Sequence, residues 1–457
     1  REITDVSPDP DGTEQLEGKI LPVLVLTGDE VEENSKKDMC PACGTADGIR
    51  FLGSAVATQL SVTLSNMFGD KNLSADEKKA LMFTDSVQDA AHRAGFVQAR
   101  SHTLSLRSTL RSALNEPGSS GSGALALDEL CRAVVARAGE DPIRRYHLLA
   151  PDIVDHDDFT PFWKADSSTQ ARKKATEKVL TRLLFDIDLE FGLQSRLGRT
   201  LELTGSAVAE VNLGSVERPA RLGAAALNAT EHQMTISAPD SAAITRWVRG
   251  TVERVRTRGA IHHPWLRTFV EKDANRRWVW GARPKGAGMP AFPKGRPAPA
   301  FPAVGSRTVP EGFDAITAPS SWYARWASQC LNVSPVDGGF LAKSLFSVLA
   351  EQRVLAAVLT ETGLTAYGLP PATVQVSAPS LDDLEGEKHL LVCGVCQTPT
   401  PGSLTVIDQL EGAPCLLVRC PGTLGRAKKL QNFYRKLYDS SEMKRVVARQ
   451  HTSLLPT

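Results

Sequence analysis

The chain has 457 residues, 42% of them apolar and 23% charged, which is too long for one ordinary core and gives a prior of two to four domains. No run of about 18 apolar residues exists, so no transmembrane helix is expected. The opening "REITDVSPDPDGTEQLEG" lacks the apolar segment of a secretory signal, so a cytoplasmic location and no membrane partner are expected.

The net charge of +1 hides local imbalance. Residues 1–40 hold eleven acids against four bases, 254–307 hold twelve bases against two acids, and 419–449 hold nine bases against two. Basic segments on a neutral chain point to a polyanion track or to plain solubilising charge. The chain begins with Arg and not Met, as expected of a piece of a longer polypeptide.

In chain order, "ILPVLVLT" (20–27) reads as a strand after an acidic, turn-rich start, and "CPACGT" (40–45) as a knuckle. "KALMFT" (79–84) reads as a buried strand, after which Asp85 or Ser86 caps a long helix ending near Leu114. "PGSSGSGA" (117–124) is a flexible loop, and 125–280 is mostly helical. Residues 281–310 are rich in Pro and Gly and basic, so they are expected to be extended, either laid on a surface or acting as a linker. Between 320 and 378 the order is helix, Pro-Val-Asp-Gly-Gly turn, helix and hairpin, which is the order of a winged helix. Lys343, Gln352, Arg353 and the wing are its candidate DNA contacts. Residues 421–441 read as a basic amphipathic helix with Leu430, Phe433, Tyr434 and Leu437 on one face, followed by a strand at 443–455.

Six of the eight cysteines come in close pairs. Cys393, Cys396, Cys415 and Cys420 sit on two hairpin-like turns, separated by a stretch read as strands and turns, and can close a tetrahedral thiolate shell around Zn2+ as in a zinc ribbon. Four protein ligands leave no open position, so the expected role is structural. Cys40 and Cys43 form half a site, to be completed by His residues of the chain or by cysteines upstream of Arg1, the latter being favoured. Cys131 and Cys330 lie in helical patterns and read as buried thiols. In 254–307 the bases are interleaved with His262, His263, Trp265, Trp278, Trp280, Phe292 and Phe301, which either stack on unpaired bases or form core. No phosphate-cradling G-x-x-x-x-G-K-[ST] occurs, no catalytic residue is expected, and the chain by itself is not expected to hydrolyse ATP.

"KALMFTDSVQDAAHRAGF" and "MKRVVARQHTSLL" each read as a buried strand with a polar tip, the place where ligands collect in a parallel α/β sheet. "FTDSVQDAA" (83–91) resembles the element that opens the second RecA-like lobe of superfamily 2 (DEAD/DEAH-type) helicases, and "VVARQHTSLL" (446–455) resembles the strand that follows it. Within that superfamily the chain is similar to the large bacterial DNA helicases with cysteine clusters, including the mitomycin-repair and the DISARM and Druantia anti-phage defence groups. The resemblance implies that Ser86 and the amides after it hold a strand phosphate, that Gln88 and Asp89 orient the junction, and that His451 and Thr452 touch the backbone one step along. Lys428, Lys429 and Arg435 are expected to add phosphate contacts from the basic helix. The resemblance also implies a nucleotide-binding lobe with ATP and Mg2+ before Arg1, and an arginine finger after Thr457.

The expected fold is mixed α/β and α+β, a partial RecA-like parallel sheet split by a large insertion. Its parts are an N-terminal segment with the half knuckle (1–73), the first part of the lobe (74–116), a mainly helical insertion (117–280), the basic linker (281–319), the winged helix (320–380), the zinc ribbon (381–421) and the return helix and strand (422–457). The expected function is the DNA-binding part of an ATP-dependent helicase or translocase, with single strand and duplex junction as partners together with the missing helicase lobes. The alternative is a non-enzymatic winged-helix and zinc-ribbon protein that binds DNA or docks protein.

Overall fold

The computed structural model describes residues 60–448 apart from 65–66, 69, 71, 75–76, 81–86, 116–122, 231–238, 281–287, 293–295, 306–307, 441–445. These described residues all fall within the unit Val56–Thr457. The fold is mixed α/β, with many helices and three small sheets.

Helix α1 (Val87–Leu114) ends where the sequence expects it to. A short strand β1 (Leu125–Ala126) leads into α2 (Leu127–Ala138), which packs on α3 (Thr169–Phe191). Ser168 caps α3 by accepting from the Ala171 amide. Strand β2 (Val208–Val211) is followed by α4 (Arg218–Asn228) and α5 (Ser241–Thr257), the latter capped by Asp240. Strands β3 (Pro302–Val304) and β4 (Asp314–Ala315) precede α6 (Trp322–Leu331) and α7 (Pro335–Glu351). A hairpin follows, β5 (Ala356–Leu359) and β6 (Thr365–Gly368), and then β7 (Val374–Ser377). The cysteine region contains β8 (Leu390–Cys393), β9 (Pro399–Pro401), α8 (Leu404–Leu410) and β10 (Leu424–Arg426), and α9 (Phe433–Asp439) comes last.

Helices α4, α5, α6 and α7 pack on one another around Trp247 and Trp326, both wholly buried. The sheet beside them has the order β4-β3-β6-β5, with β3 parallel to β4 and antiparallel to β6. A second sheet, β1-β7-β2, joins three distant parts of the chain. The third, β10-β8-β9, carries the cysteines.

Several sequence expectations change. The Pro-Val-Asp-Gly-Gly stretch is the first turn of α7, not a turn between helices. Ser334 caps it, Pro335 takes the first helical position, and the next glycines sit against backbone: a Cβ on Gly338 would lie 2.2 Å from the Ala324 carbonyl oxygen. Close packing on α6 thus outweighs the low helix propensity of Gly. The described part of the Pro-rich stretch is extended, but it does not lie on the surface. Phe301 and Ala303 are fully buried, and β3 occupies an interior position in its sheet. Residues 404–410 form a helix where strands and turns were expected, because Ser403 caps them and Val406, Ile407 and Leu410 share a buried face. Conversely, 421–441 is helical only over Phe433–Asp439, and β10 pairs with β8. Ion pairs from Arg426 to Asp408 (2.6 Å) and Glu411 (2.8 Å) tie that strand to α8 and the turn after it. The strands expected at 79–84 and 443–455 lie almost wholly outside the described residues, and Val446–Ala448 carry no strand assignment. Among the described residues, no helix is long and apolar enough to cross a membrane.

The chain returns on itself. Ser108 of α1 donates to the carbonyl oxygens of Tyr438 (3.2 Å) and Ser440 (2.8 Å), 330 positions further on in the first case. Arg111 pairs with Asp439 at 2.6 Å, and the Val446 amide donates to Ser101 Oγ at 2.7 Å. Leu64, Val97 and Val446 form a small apolar cluster at the same place.

Candidate metal centre

Strand β8 ends on Cys393, and the chain then turns through Gly394 and Val395 to Cys396. Cys415 and Cys420 bracket the second turn, which is tied back by the Cys415 amide donating to the Gly422 carbonyl at 2.8 Å. The four Sγ atoms lie within 4.8 Å of one another, with Cys393–Cys420 at 3.7 Å and Cys396–Cys415 at 3.5 Å. Among the described residues this is the side-chain group able to hold a metal ion. The Val395 and Leu417 amides donate to Cys393 and Cys415 Sγ, each at 3.4 Å, although burial still holds the Cys415 thiol above its usual range. A Cβ on Gly422 would stand 2.4 Å from Cys393 Sγ, so only Gly lets the second turn approach the first. Burial raises the Cys396 thiol, but hydrogen bonds with Thr398, Cys393 and Cys415 outweigh it and bring the group down to about 6.

The cysteine module is fastened to the helical body by polar contacts. Trp322 Nε1 donates to the Leu416 carbonyl at 2.7 Å, and Gln329 donates to that of Val418 at 3.0 Å. Arg249 donates to Gln409 Oε1 on α8 at 2.6 Å. Behind Arg249 runs a buried ionic chain, in which Glu253 bridges Arg249 and Arg256 and Arg256 reaches Glu202 at 2.8 Å. Burial disfavours the charge on Arg256, yet Glu202 and Glu253 against it hold its proton more tightly than usual.

The other expected site residues are scattered. Lys428 is exposed. Lys429 is half-buried and donates to the Leu203 carbonyl, and burial lowers its pKa. Arg435 departs from expectation: it is buried, donating to the carbonyls of Gly205 and Pro379, so the folded chain uses it as a strut and not as a phosphate contact. Gln88 and Asp89 lie in the first turn of α1. Ser86, His451, Thr452, Cys40 and Cys43 lie outside the described residues. Cys131 is buried, and burial lifts its thiol to about 12; Cys330 is only partly covered.

Lys343, Gln352 and Arg353 are exposed, and the tip of the hairpin that follows them is pinned. Thr360 and Thr362 both donate to Asp273 at 2.6 Å, and Lys272 pairs with Glu361 at 2.8 Å. Next to Lys343, Ser344 of α7 donates to the Ala226 carbonyl and ties the helix to α4. The aromatics of 254–307 divide in favour of core. His263, Trp265 and Phe292 surround Phe185 at centroid distances of 4.9, 5.2 and 6.1 Å, and burial drives His263 down to about 4. Trp280 keeps an exposed ring.

One cluster escaped sequence reasoning. Arg199 lies over the Tyr434 ring at 4.4 Å and hydrogen-bonds its hydroxyl, Phe433 meets Tyr434 edge-on at 5.2 Å, and exposed Lys436 lies on the same short helix. The aromatic pair was visible in the sequence, but its partner Arg199 is 235 positions away. Comparison of the chain with protein-family models, with curated proteins and with solved structures returns no match.

Proposed function

We propose that this chain is the nucleic-acid-engaging part of an ATP-dependent superfamily 2 DNA helicase or translocase, in which a large insertion interrupts the second RecA-like lobe. The observation that supports this reading is the return of the chain: Ser101, Ser108 and Arg111 of α1, the helix whose start lies in the first resembling segment, bond to Val446, Tyr438, Ser440 and Asp439, and Val446 is the first residue of the second. ATP and Mg2+ would be bound elsewhere in the polypeptide.

Within the insertion, α5, β3, α6, α7 and the β5–β6 hairpin follow in the order of a winged helix, with β3 beside β6. The pinned tip favours a winged helix that braces the fold over one that reads a groove, while α7 keeps Val336, Phe340 and Lys343 exposed along one face. The four cysteines suit a structural Zn2+. Thiolates about 2.3 Å from a tetrahedral zinc stand roughly 3.8 Å apart, close to the two spacings seen. The metal would lock the two turns together and add no open coordination position.

Nucleic acid would meet the surface of Arg199, Lys428, Phe433, Tyr434 and Lys436, where cations neutralise phosphates and the exposed Phe433 ring offers a stacking face. The test is fluorescence anisotropy of a labelled single-stranded oligonucleotide over a salt series. Binding should weaken steeply with salt, and the triple variant Arg199→Gln, Lys428→Gln, Lys436→Gln should lose about tenfold or more with a shallower salt slope. Unchanged affinity in a folded triple variant overturns this interface.

A further inference from the structure

A cavity of about 330 Å³ opens between α5, the start of α6 and the Cys415–Cys420 turn. That volume lies within the range of small-molecule pockets, roughly 300–1,000 Å³. Its walls are mostly apolar, contributed by Leu203, Pro399, Leu416, Leu424 and the Trp322 indole. Two guanidinium groups, those of Arg196 and Arg254, interrupt this lining.

The charges around it do not balance. Arg254 reaches Asp314 Oδ2 at 3.4 Å, but Arg258 takes the same oxygen at 3.2 Å. Arg254 Nε is buried and has no acceptor, while its guanidinium lies 5.1 Å from the centre of the Trp322 ring. Arg196 has one hydrogen bond, to the Pro399 carbonyl at 2.6 Å, and burial disfavours its charge. Glu253 also lines the cavity, but its oxygens already accept from the Val211 amide, Arg249 and Arg256. Two cations thus line the void: Arg254 shares Asp314 with Arg258, and the carboxylates acting on Arg196, Glu202 and Glu253, are already ion-paired with Arg256. A guanidinium that is 27% exposed, shares its carboxylate and stands beside apolar walls is the pattern that an anionic ligand with an apolar body completes.

We propose that this cavity binds a small organic anion, a carboxylate or sulfonate on a flat apolar body, with Arg254 and Arg196 on the anionic head and Trp322 and the leucines on the body. The site is independent of the DNA-binding reading. The probe is anilinonaphthalene sulfonate, titrated into the full chain by fluorescence and calorimetry, with uncharged phenylnaphthylamine as control. The expected result is one equivalent bound, a loss of tenfold or more in Arg254→Gln, and weak binding of phenylnaphthylamine that the substitution leaves alone. Leu417 stands at the rim and is 53% exposed, so Leu417→Trp should fold normally and block the probe. Equal binding of the dye by wild type and both variants, or equal affinity for the uncharged analogue, overturns the proposal.

Discussion

The hairpin sheet and the cysteine sheet both lean on the same helical body, and they are held in opposite ways. The first is fixed from within: Phe301, Ala303, Leu364 and Ala366 are almost wholly buried, and Phe346 touches both Tyr323 (5.1 Å) and Tyr367 (5.2 Å). The second packs Val406, Ile407 and Leu410 of α8 into the same core, but its far part, where the four sulfurs gather, meets the body through hydrogen bonds to carbonyls of the second turn. A small sheet can be specified by packed aromatic side chains or by four thiols close enough to hold a cation between them. The two solutions should fail under different conditions.

The largest effect is expected at the metal. Cys415→Ser should release zinc and loosen the β10-β8-β9 sheet, since metal binding at such sites contributes on the order of 10 kcal/mol. Elemental analysis should fall from one zinc per chain to none, and limited proteolysis should cut within 390–426. Wild-type protein with no zinc would end the contrast. In the hairpin sheet, Phe301→Ala should lower stability by about 3–5 kcal/mol through the cavity it leaves, with zinc content unchanged.

The link between body and module comes next. Arg256→Met leaves Glu202 and Glu253 buried without their main cation and should cost about 3–5 kcal/mol, read by chemical denaturation. A double variant with Cys415→Ser should fall short of the sum of the two losses if the ionic chain is what carries the module.

The smallest effect separates the two regions by pH. Asp188 is buried in α3 with neither carboxylate oxygen hydrogen-bonded, and burial, helped by Asp128, holds its pKa well above the usual range. Its favourable contribution is complete below the unfolded value of about 3.9 and is lost as pH rises through the raised folded value. Asp188→Asn should therefore stabilise the body by roughly 1–3 kcal/mol on the alkaline side and change little in acid. The cysteine module, with the proposed zinc in place, should behave in reverse, because acid protonates thiolate ligands and would free such a metal.

What the sequence disclosed follows from the range over which each signal acts. The spacing of Cys393, Cys396, Cys415 and Cys420 is local, and it located the group correctly. The end of α1 near Leu114 and the β5–β6 hairpin around Gly363 were readable for the same reason. The β-branched run Thr405-Val406-Ile407 read as strand because its Ser403 cap and its packing against α5 are tertiary facts. The pairing of β7 with β1 and β2, the place of β3 beside β6, and the burial of Arg435 against Gly205 all join residues tens to hundreds of positions apart. No periodicity records such meetings. The Arg199–Tyr434 pair was invisible for that reason as well.

The meeting of Ser101 with Val446 bears on how such a molecule can change over generations. A loop whose two feet stand side by side can be lengthened, exchanged or deleted without rethreading the scaffold beneath it. Here the foot at α1 is also part of what it carries, with Leu104 and Leu110 in the core of the body and Arg107 paired to Glu190, so an exchange would have to move that helix together with the segment between the feet.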